Sequence, residues 1–200
     1  MRYIVLLFLI SLLGCTKSVP EKEESDVRYN LIQPLESIYK IVKSNVTSDE
    51  IPGKYFEKEY FLNRNLVKIE RYDQNGQLTD ELGTPAISVF EYDQDDNLKF
   101  FRYYNKFGRK AEDKKLKFWS KEIIRSSSST VIEFYSDTTG NLLTLPSESE
   151  SQSNHIAPVI VYIETPEGTL IKAFDSEFNL LSEEYGEKPC IPFIDCGGVR

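Results

Sequence analysis

The fold of this chain follows from a short stretch, Tyr72-Asp73-Gln74-Asn75-Gly76-Gln77-Leu78. Asn75 and Gly76 adopt positive φ at low cost, as a tight hairpin requires, and the Asp73 carboxylate can accept hydrogen bonds from the backbone that follows it. The aromatic residue and the leucine at the two ends then stand on flanking strands, where they can pack across the pair. The stretch therefore predicts a β-hairpin.

Looser copies of this stretch recur along the chain, each with an aromatic residue, a polar turn and often a leucine six or seven positions on. The copies occupy residues 60–66, 72–78, 92–98, 104–108, 135–142 and 174–180. Their first residues lie 12, 20, 12, 31 and 39 positions apart, several near one or two steps of about ten to twelve residues, the length of a strand with its turn. Because one hairpin cannot bury its own apolar face, successive units must pair edge to edge. The pattern predicts a mainly β fold, an open antiparallel β-meander.

The longest match, Arg71-Tyr72-Asp73-Gln74-Asn75-Gly76-Gln77-Leu78-Thr79, resembles the YD repeat of RHS-type bacterial proteins. Large members of that family wind many such hairpins into a shell around a toxin domain. The six degenerate copies here span roughly 120 residues, too few to enclose a cargo. The chain is more similar to small secreted lipoproteins that use such repeats as an open antiparallel meander.

One segment before the repeats has a helical pattern instead. Apolar residues recur at three- and four-residue steps, at Leu31, Leu35, Ile38, Val42 and Val46, and Pro34 suits a first helical turn. The spacing predicts one amphipathic helix over residues 33–45, packed on the sheet.

Further strands are expected on both sides of the serine run 126–129, over residues 116–125 and 130–136. Residues 158–164 and 169–174 predict another hairpin, and residues 179–185 a last strand. The polar run 147–154 predicts an exposed loop.

The N-terminus reads as an export signal. Arg2 is followed by an apolar run of about eleven residues, shorter than the roughly 20 of a membrane-spanning helix. The run ends in Leu12-Leu13-Gly14-Cys15, which resembles the lipobox of bacterial lipoproteins. The resemblance implies that residues 1–14 are removed and that the Cys15 thiol carries lipid, which would hold the protein on a membrane.

The composition divides the rest of the chain and excludes one class of partner. Residues 15–28 are polar and acidic and predict a flexible tether after Cys15. Residues 29–186 are expected to form the β domain with its helix, and residues 187–200 a C-terminal cysteine loop. Without residues 1–14 the chain has 23 basic and 32 acidic residues, a net charge of −9. Phosphate backbones would repel it, so nucleic acid is not an expected partner.

Two cysteines remain, Cys190 and Cys196, an even pair in an exported chain. A disulfide between them is the leading interpretation, with two free thiols or a metal site as alternatives. A zinc site would lack ligands, because His155 is the one histidine of the chain. No catalytic residue, metal or cofactor is predicted, since the sequence carries no Gly-rich phosphate loop, paired-histidine motif or serine elbow.

One strand carries aromatic residues on both faces: Phe100, Phe101, Tyr103 and Tyr104. They indicate either a sheet covered on both sides or an exposed strip that grips a partner. The leading hypothesis is a non-catalytic binding domain of the bacterial cell envelope, anchored through Cys15, with an envelope protein or glycan as partner. We expect the protein to be anchored in the outer membrane, facing the periplasm or the cell exterior. Alternatives are a structural or assembly component of the envelope, with open sheet edges, and a hydrolase of envelope glycans with two carboxylates in a groove.

Overall fold

The computed structural model describes residues 25–35, 38–114, 117–144 and 156–186. These residues form eleven strands: β1 (Ser25–Pro34), β2 (Tyr39–Lys43), β3 (Phe56–Leu62), β4 (Asn65–Tyr72), β5 (Ile87–Tyr92), β6 (Leu98–Tyr104), β7 (Ser120–Ser127), β8 (Thr130–Ser136), β9 (Val159–Thr165), β10 (Gly168–Phe174) and β11 (Leu180–Gly186). A 3-10 helix covers Ser48–Glu50.

All eleven strands belong to one sheet, in the order β11-β10-β9-β8-β7-β6-β5-β4-β3-β1-β2. Every neighbouring pair is antiparallel, and from β3 onward each strand pairs with the next one in sequence. At the N-terminal end β1 lies between β2 and β3, with Ser25 opposite Leu62. The predicted open antiparallel meander is confirmed.

The two faces of the sheet differ because side chains alternate along each strand. On the covered face, Phe90, Phe101, Lys121 and Tyr135 stand in register on four successive strands and are all buried. On the open face, Tyr60, Lys68, Val89 and Arg102 stand in register and are half-buried. Strands β3 to β6 therefore alternate between a core side and a solvent side.

Three polar turns repeat at intervals of 32 residues, after β4, β6 and β8. They begin at Asp73, Asn105 and Asp137. In each turn one Oδ1 accepts the backbone N–H groups of the residues two and four positions on, at 2.8–3.1 Å. The structural repeat is therefore 32 residues long. It contains two hairpin-connected strands, the polar turn that follows them and the segment that leads to the next strand.

After the first two of these turns the chain leaves the sheet before it returns as the next strand. We call residues 79–86 the first excursion and the described part of residues 111–119 the second. The last residue of the strand first pairs briefly across the turn, as Tyr72 does with Leu78. The N–H of Arg71 then bonds the carbonyl of Ala86 at 2.8 Å, where the chain rejoins. Equivalent bonds join Tyr103 to Trp119 and Tyr135 to Pro158, at 2.9 and 2.8 Å.

The excursions cover the core face. Leu82 of the first excursion is fully buried, and Phe118 of the second is buried against Phe101 and Tyr135. Asp80 links the first excursion to the next turn, because its carboxylate accepts the N–H of Lys106 at 3.1 Å.

The predicted helix over residues 33–45 is wrong. Strand β1 runs through Pro34, the chain turns, and β2 begins at Tyr39. Three of the apolar positions that suggested a helix, Leu35, Ile38 and Val42, are exposed. β-Branched side chains suit a strand better than a helix, and a proline is tolerated at the end of a strand.

Some predicted boundaries also move. Residues 25–28 of the expected tether belong to β1. Strand β7 begins at Ser120, because Phe118 and Trp119 lie in the excursion, and the serine run is a turn only at residues 128–129. Residues 1–14, Cys15, the loop 147–154, His155 and the cysteine loop 187–200 lie outside the described residues.

The carboxylates of Asp73, Asp93 and Asp137 should make the stability of the fold depend on pH. Hydrogen bonds from the backbone of Gln77 and Asn97 to the first two, and from the Thr139 side chain to the third, hold their pKa values below the ordinary value. Carboxyls with lowered folded pKa values stabilise the fold above their ordinary pKa, and this contribution is lost as pH falls below about 4.

We therefore expect the variant Asp73→Asn/Asp93→Asn/Asp137→Asn to lose less stability on acidification than the parent, measured by urea unfolding. Asn105 shows that an amide makes the same bonds. Gln74→Asn, an uncharged change at an exposed position of the first turn, is the control and should leave the pH dependence unchanged. A parental pH dependence in the triple variant would contradict this assignment.

Candidate functional site

The predicted aromatic strip divides between the two faces of β6. Phe101 and Tyr103 lie on the covered face, each 8% exposed, with ring centroids 4.6 Å apart. Phe101 also stacks on Phe90 at 4.9 Å. Phe100 and Tyr104 lie on the open face and are half-buried. The Tyr104 ring packs edge-on against the buried Trp119 ring, with centroids 6.4 Å apart. The structure therefore places Phe101 and Tyr103 in the core, packs Tyr104 against the core, and leaves Phe100 for contact with a partner.

Phe100 is flanked by positive charge on the open face. The Arg102 guanidinium lies over its ring at 4.3 Å and the Lys99 ammonium at 5.4 Å. Arg102 also forms an ion pair with Glu91 on the neighbouring strand β5. The ring and the guanidinium are thus held side by side.

A second group of open-face residues, which was not predicted from the sequence, surrounds Glu70. Glu70 accepts hydrogen bonds from the hydroxyls of Tyr60 and Tyr72, at 2.5 and 2.7 Å, and from the Lys68 ammonium at 2.9 Å. Burial alone would raise the pKa of Glu70, but these hydrogen bonds outweigh it and hold the pKa below its ordinary value. Glu70 is therefore a fixed negative charge. Alternate positions of β4 carry Lys68, Glu70 and Tyr72, a signal that was available in the sequence.

Cations also lie over the rings of this group. Lys58 and Lys68 approach the Tyr60 ring, at 4.6 and 4.0 Å from its centroid. The Tyr72 ring stacks on Phe56 at 4.7 Å. We call these residues the open-face cluster: Phe56, Lys58, Tyr60, Lys68, Glu70, Tyr72, Phe100 and Arg102.

The covered face buries charged groups as well. Glu57, fully buried, accepts hydrogen bonds from Asn30 Nδ2 at 3.0 Å and from the Tyr39 hydroxyl at 2.9 Å. Arg71, also buried, donates to the same hydroxyl at 3.0 Å and to Ser88 Oγ at 2.9 Å. This network joins the five strands β1 to β5.

A buried ion pair lies further along the covered face. Lys121 Nζ and a carboxylate oxygen of Glu133 are 2.8 Å apart, and the two side chains are 7% and 2% exposed. The Tyr135 hydroxyl donates to the same carboxylate at 2.6 Å, and that of Tyr162 at 3.4 Å. Burial, and then the Glu133 charge, raise the pKa of Tyr135 well above its ordinary value. Solvent does not reach these groups, so their role is to hold β7, β8 and β9 together.

Residues 25–35, 38–114, 117–144 and 156–186 show neither a metal-binding group nor a membrane-spanning helix. In these segments no three His, Cys, Asp or Glu side chains are grouped to hold a metal ion. Nor do these segments contain a helix with the length and apolarity to cross a membrane. Cys15, Cys190 and Cys196 fall outside them, so lipidation and the disulfide stay predictions.

Comparison with known proteins adds no relative. No protein-family model matches the sequence, and neither the curated proteins nor the solved structures include a match. The similarities to lipoproteins and to YD repeats therefore rest on the quoted motifs.

The buried pair Lys121–Glu133 predicts a large effect of removing one partner. Lys121→Met would leave the Glu133 carboxylate buried without its counter-charge and should lower the free energy of unfolding by about 3–5 kcal/mol. Adding Glu133→Gln, which keeps an acceptor for the Tyr135 hydroxyl, should recover part of that loss in urea titrations.

Lys172→Met is the matched control, because the Lys172–Glu183 pair is partly exposed. Pairs of that kind contribute about 0–1 kcal/mol. Equal losses in Lys121→Met and Lys172→Met would show that the buried pair has no special role.

Proposed function

We propose that this protein is a lipid-anchored, non-catalytic binding domain of the bacterial cell envelope. The anchor is supported by Leu12-Leu13-Gly14-Cys15 and by the apolar run before it. Nine residues separate Cys15 from Ser25, where β1 begins. Fully extended, nine residues span at most about 30 Å, so the sheet would work close to the membrane.

The open-face cluster is the observation that supports binding. Aromatic residues and arginine are enriched at the centres of protein interfaces, and this cluster combines them on a solvent-facing sheet. Its side chains are already fixed, because Glu70 holds Tyr60, Tyr72 and Lys68. A surface that is ordered before binding loses less entropy when a partner arrives.

The cluster favours a protein partner over a glycan. Sugars bind aromatic residues by stacking on the ring face, but cations lie over the rings of Tyr60 and Phe100. A sugar would have to displace them. A protein can instead pair with the ammonium and guanidinium groups as they stand.

A structural role in the envelope is the second candidate. Within the described part of the chain, strands β2 and β11 each have a single neighbour in the sheet, which leaves one edge of each without a partner strand there. A hydrolase is less well supported. The carboxylates of Glu57, Glu59 and Glu133 are at most 3% exposed, so a glycan does not reach them.

Lipidation at Cys15 predicts a defined N-terminus. Mass spectrometry of the native protein should show a chain that begins at Cys15 and carries acyl groups, while Cys15→Ser should lack them. Cys190→Ser is the control and should keep the lipid. An intact, unmodified N-terminus at Met1 in the native protein would contradict the anchor.

The open-face cluster predicts a partner within reach of Phe100. The photoreactive residue p-benzoylphenylalanine, placed at position 100 of the full chain in cells, should give a protease-sensitive adduct. Lys58→Glu should reduce its yield at least tenfold, because the net charge of the cluster falls from +2, with Lys58, Lys68 and Arg102 against Glu70, to 0.

The same probe at Ile124, on the open face of β7 and outside the cluster, is the matched control. Equal yields from both positions would argue against the cluster as the binding surface. An adduct removed by muramidase, and not by protease, would assign a glycan ligand instead.

A further inference from the structure

The turn after β6 carries an exposed aromatic residue among positive charges. Phe107 is 74% exposed, the largest exposed fraction among the bulky apolar side chains of the described residues. Lys106 and Arg109, on either side of it, are also exposed. Contact with a partner would remove the apolar area of this side chain from water, which is favourable.

The turn itself does not require this phenylalanine. Five turns of the sheet share the same hydrogen-bond pattern, in which a first Asp or Asn accepts the N–H groups two and four positions on. The position that Phe107 occupies is polar in the other four: Asn75, Asp95, Thr139 and Glu177. Phe107 is thus an addition to a turn that forms without it.

The Phe107 turn is also held firmly. Asn105 Oδ1 accepts the N–H groups of Phe107 and Arg109, both at 3.0 Å. The N–H of Lys106 donates to the Asp80 carboxylate of the preceding excursion at 3.1 Å. A rigid tip is ordered before any contact forms, which reduces the entropic cost of that contact.

The last strand presents a surface of the opposite charge. All seven residues of β11 are exposed, including Leu180, Leu181 and Tyr185. Because side chains alternate along the strand, Glu183 and Tyr185 project on one face and Glu184 on the other, and Glu183 also pairs with Lys172 of β10. The outer edge of β11 has no neighbouring strand in the described sheet. This strand combines apolar area with negative charge, as the Phe107 turn combines it with positive charge.

We propose that the Phe107 turn of one copy of this protein docks on β11 of a second copy. Contact between two Phe107 turns would bring Lys106 and Arg109 together, and contact between two β11 strands would bring Glu183 and Glu184 together. Both arrangements juxtapose like charges. Turn against strand is the pairing in which charge is complementary and both apolar surfaces are covered.

The contact forms between copies and not within one. Strands β6 and β11 are five spacings apart in the sheet, about 24 Å. A single turn cannot bridge that distance. Because the two surfaces differ, each bound copy still has one free turn or one free strand, so copies assemble into rings or open chains.

A flat anionic membrane fits the turn less well. The turns that begin at Asp73 and Asp137 lie at the same end of the sheet, two strands to either side, about 10 Å away. Their carboxylates have lowered pKa values and are ionised at neutral pH. A surface broad enough to touch both would meet negative charge beside Phe107.

Photo-crosslinking tests the proposal on the full chain in its membrane. p-Benzoylphenylalanine at position 107 should give a product of twice the chain mass, with the crosslinked peptide in residues 175–186. Positions 75 and 139, which are matched in their turns, should give at most one fifth of that yield. Circular dichroism checks that each labelled chain is folded.

Charge reversal tests the pairing. Lys106→Glu/Arg109→Glu in the labelled chain should lower the yield at least fivefold, and so should Glu183→Lys/Glu184→Lys placed in the labelled chain with an unchanged turn. The rescue experiment mixes labelled Lys106→Glu/Arg109→Glu with an unlabelled chain that carries Glu183→Lys/Glu184→Lys. This combination should restore the yield. Adducts with lipid or with another protein alone, a dimer mapped to another peptide, no adduct at all, or no rescue would each overturn the proposal.

Discussion

An antiparallel sheet one layer thick is stable in water only if one of its faces is covered, because strands alone leave both faces open to solvent. Here the cover comes from the connections themselves. After β4 and β6 the chain leaves the sheet, and these two excursions bury Leu82 and pack Phe118 against Phe101 and Tyr135. The polar turns that begin at Asp73, Asn105 and Asp137 follow β4, β6 and β8 and turn the chain out of each strand.

The division of roles between the faces follows from that cover. On the covered face, buried charges are bonded to partners on neighbouring strands, as Glu57 is to Asn30 and Lys121 is to Glu133. A one-residue shift of register would carry such a group to the other face and separate it from its partner. On the open face, charges and rings are instead ordered at the surface, where Glu70 holds three side chains in place.

The strands could be predicted from the sequence because turn chemistry is local. Asn75-Gly76 and the aspartates before the turns mark strand ends, and the described strands follow them. The helix over residues 33–45 could not be excluded in this way. Its three- and four-residue spacing also fits two short strands whose exposed residues happen to be apolar, and only the pairing of β1 with β3 distinguishes the two.

The 32-residue repeat was present in the sequence, but single hairpins were predicted as the repeating unit. The intervals of 12 and 20 residues together give the 32 residues between Tyr72 and Tyr104. The excursions have no periodic pattern, so nothing local separates them from ordinary loops. Because the covering segments could not be recognised, the covered face of the sheet could not be predicted. Alternation shows that Phe100 and Phe101 point to opposite faces, but it does not show which face is covered.

The direction of β1 has a consequence for how the molecule would stand on a surface. Ser25 lies opposite Leu62, at the rim where β3 ends, whereas Asp73, Asn105 and Asp137 lie at the far rim. A seven-residue strand such as β3 is about 23 Å long. If the chain is tethered ahead of Ser25, its strands stand upright on the bilayer. The tips of the polar turns, whose residues differ from one turn to the next, then lie one strand length away from the lipid.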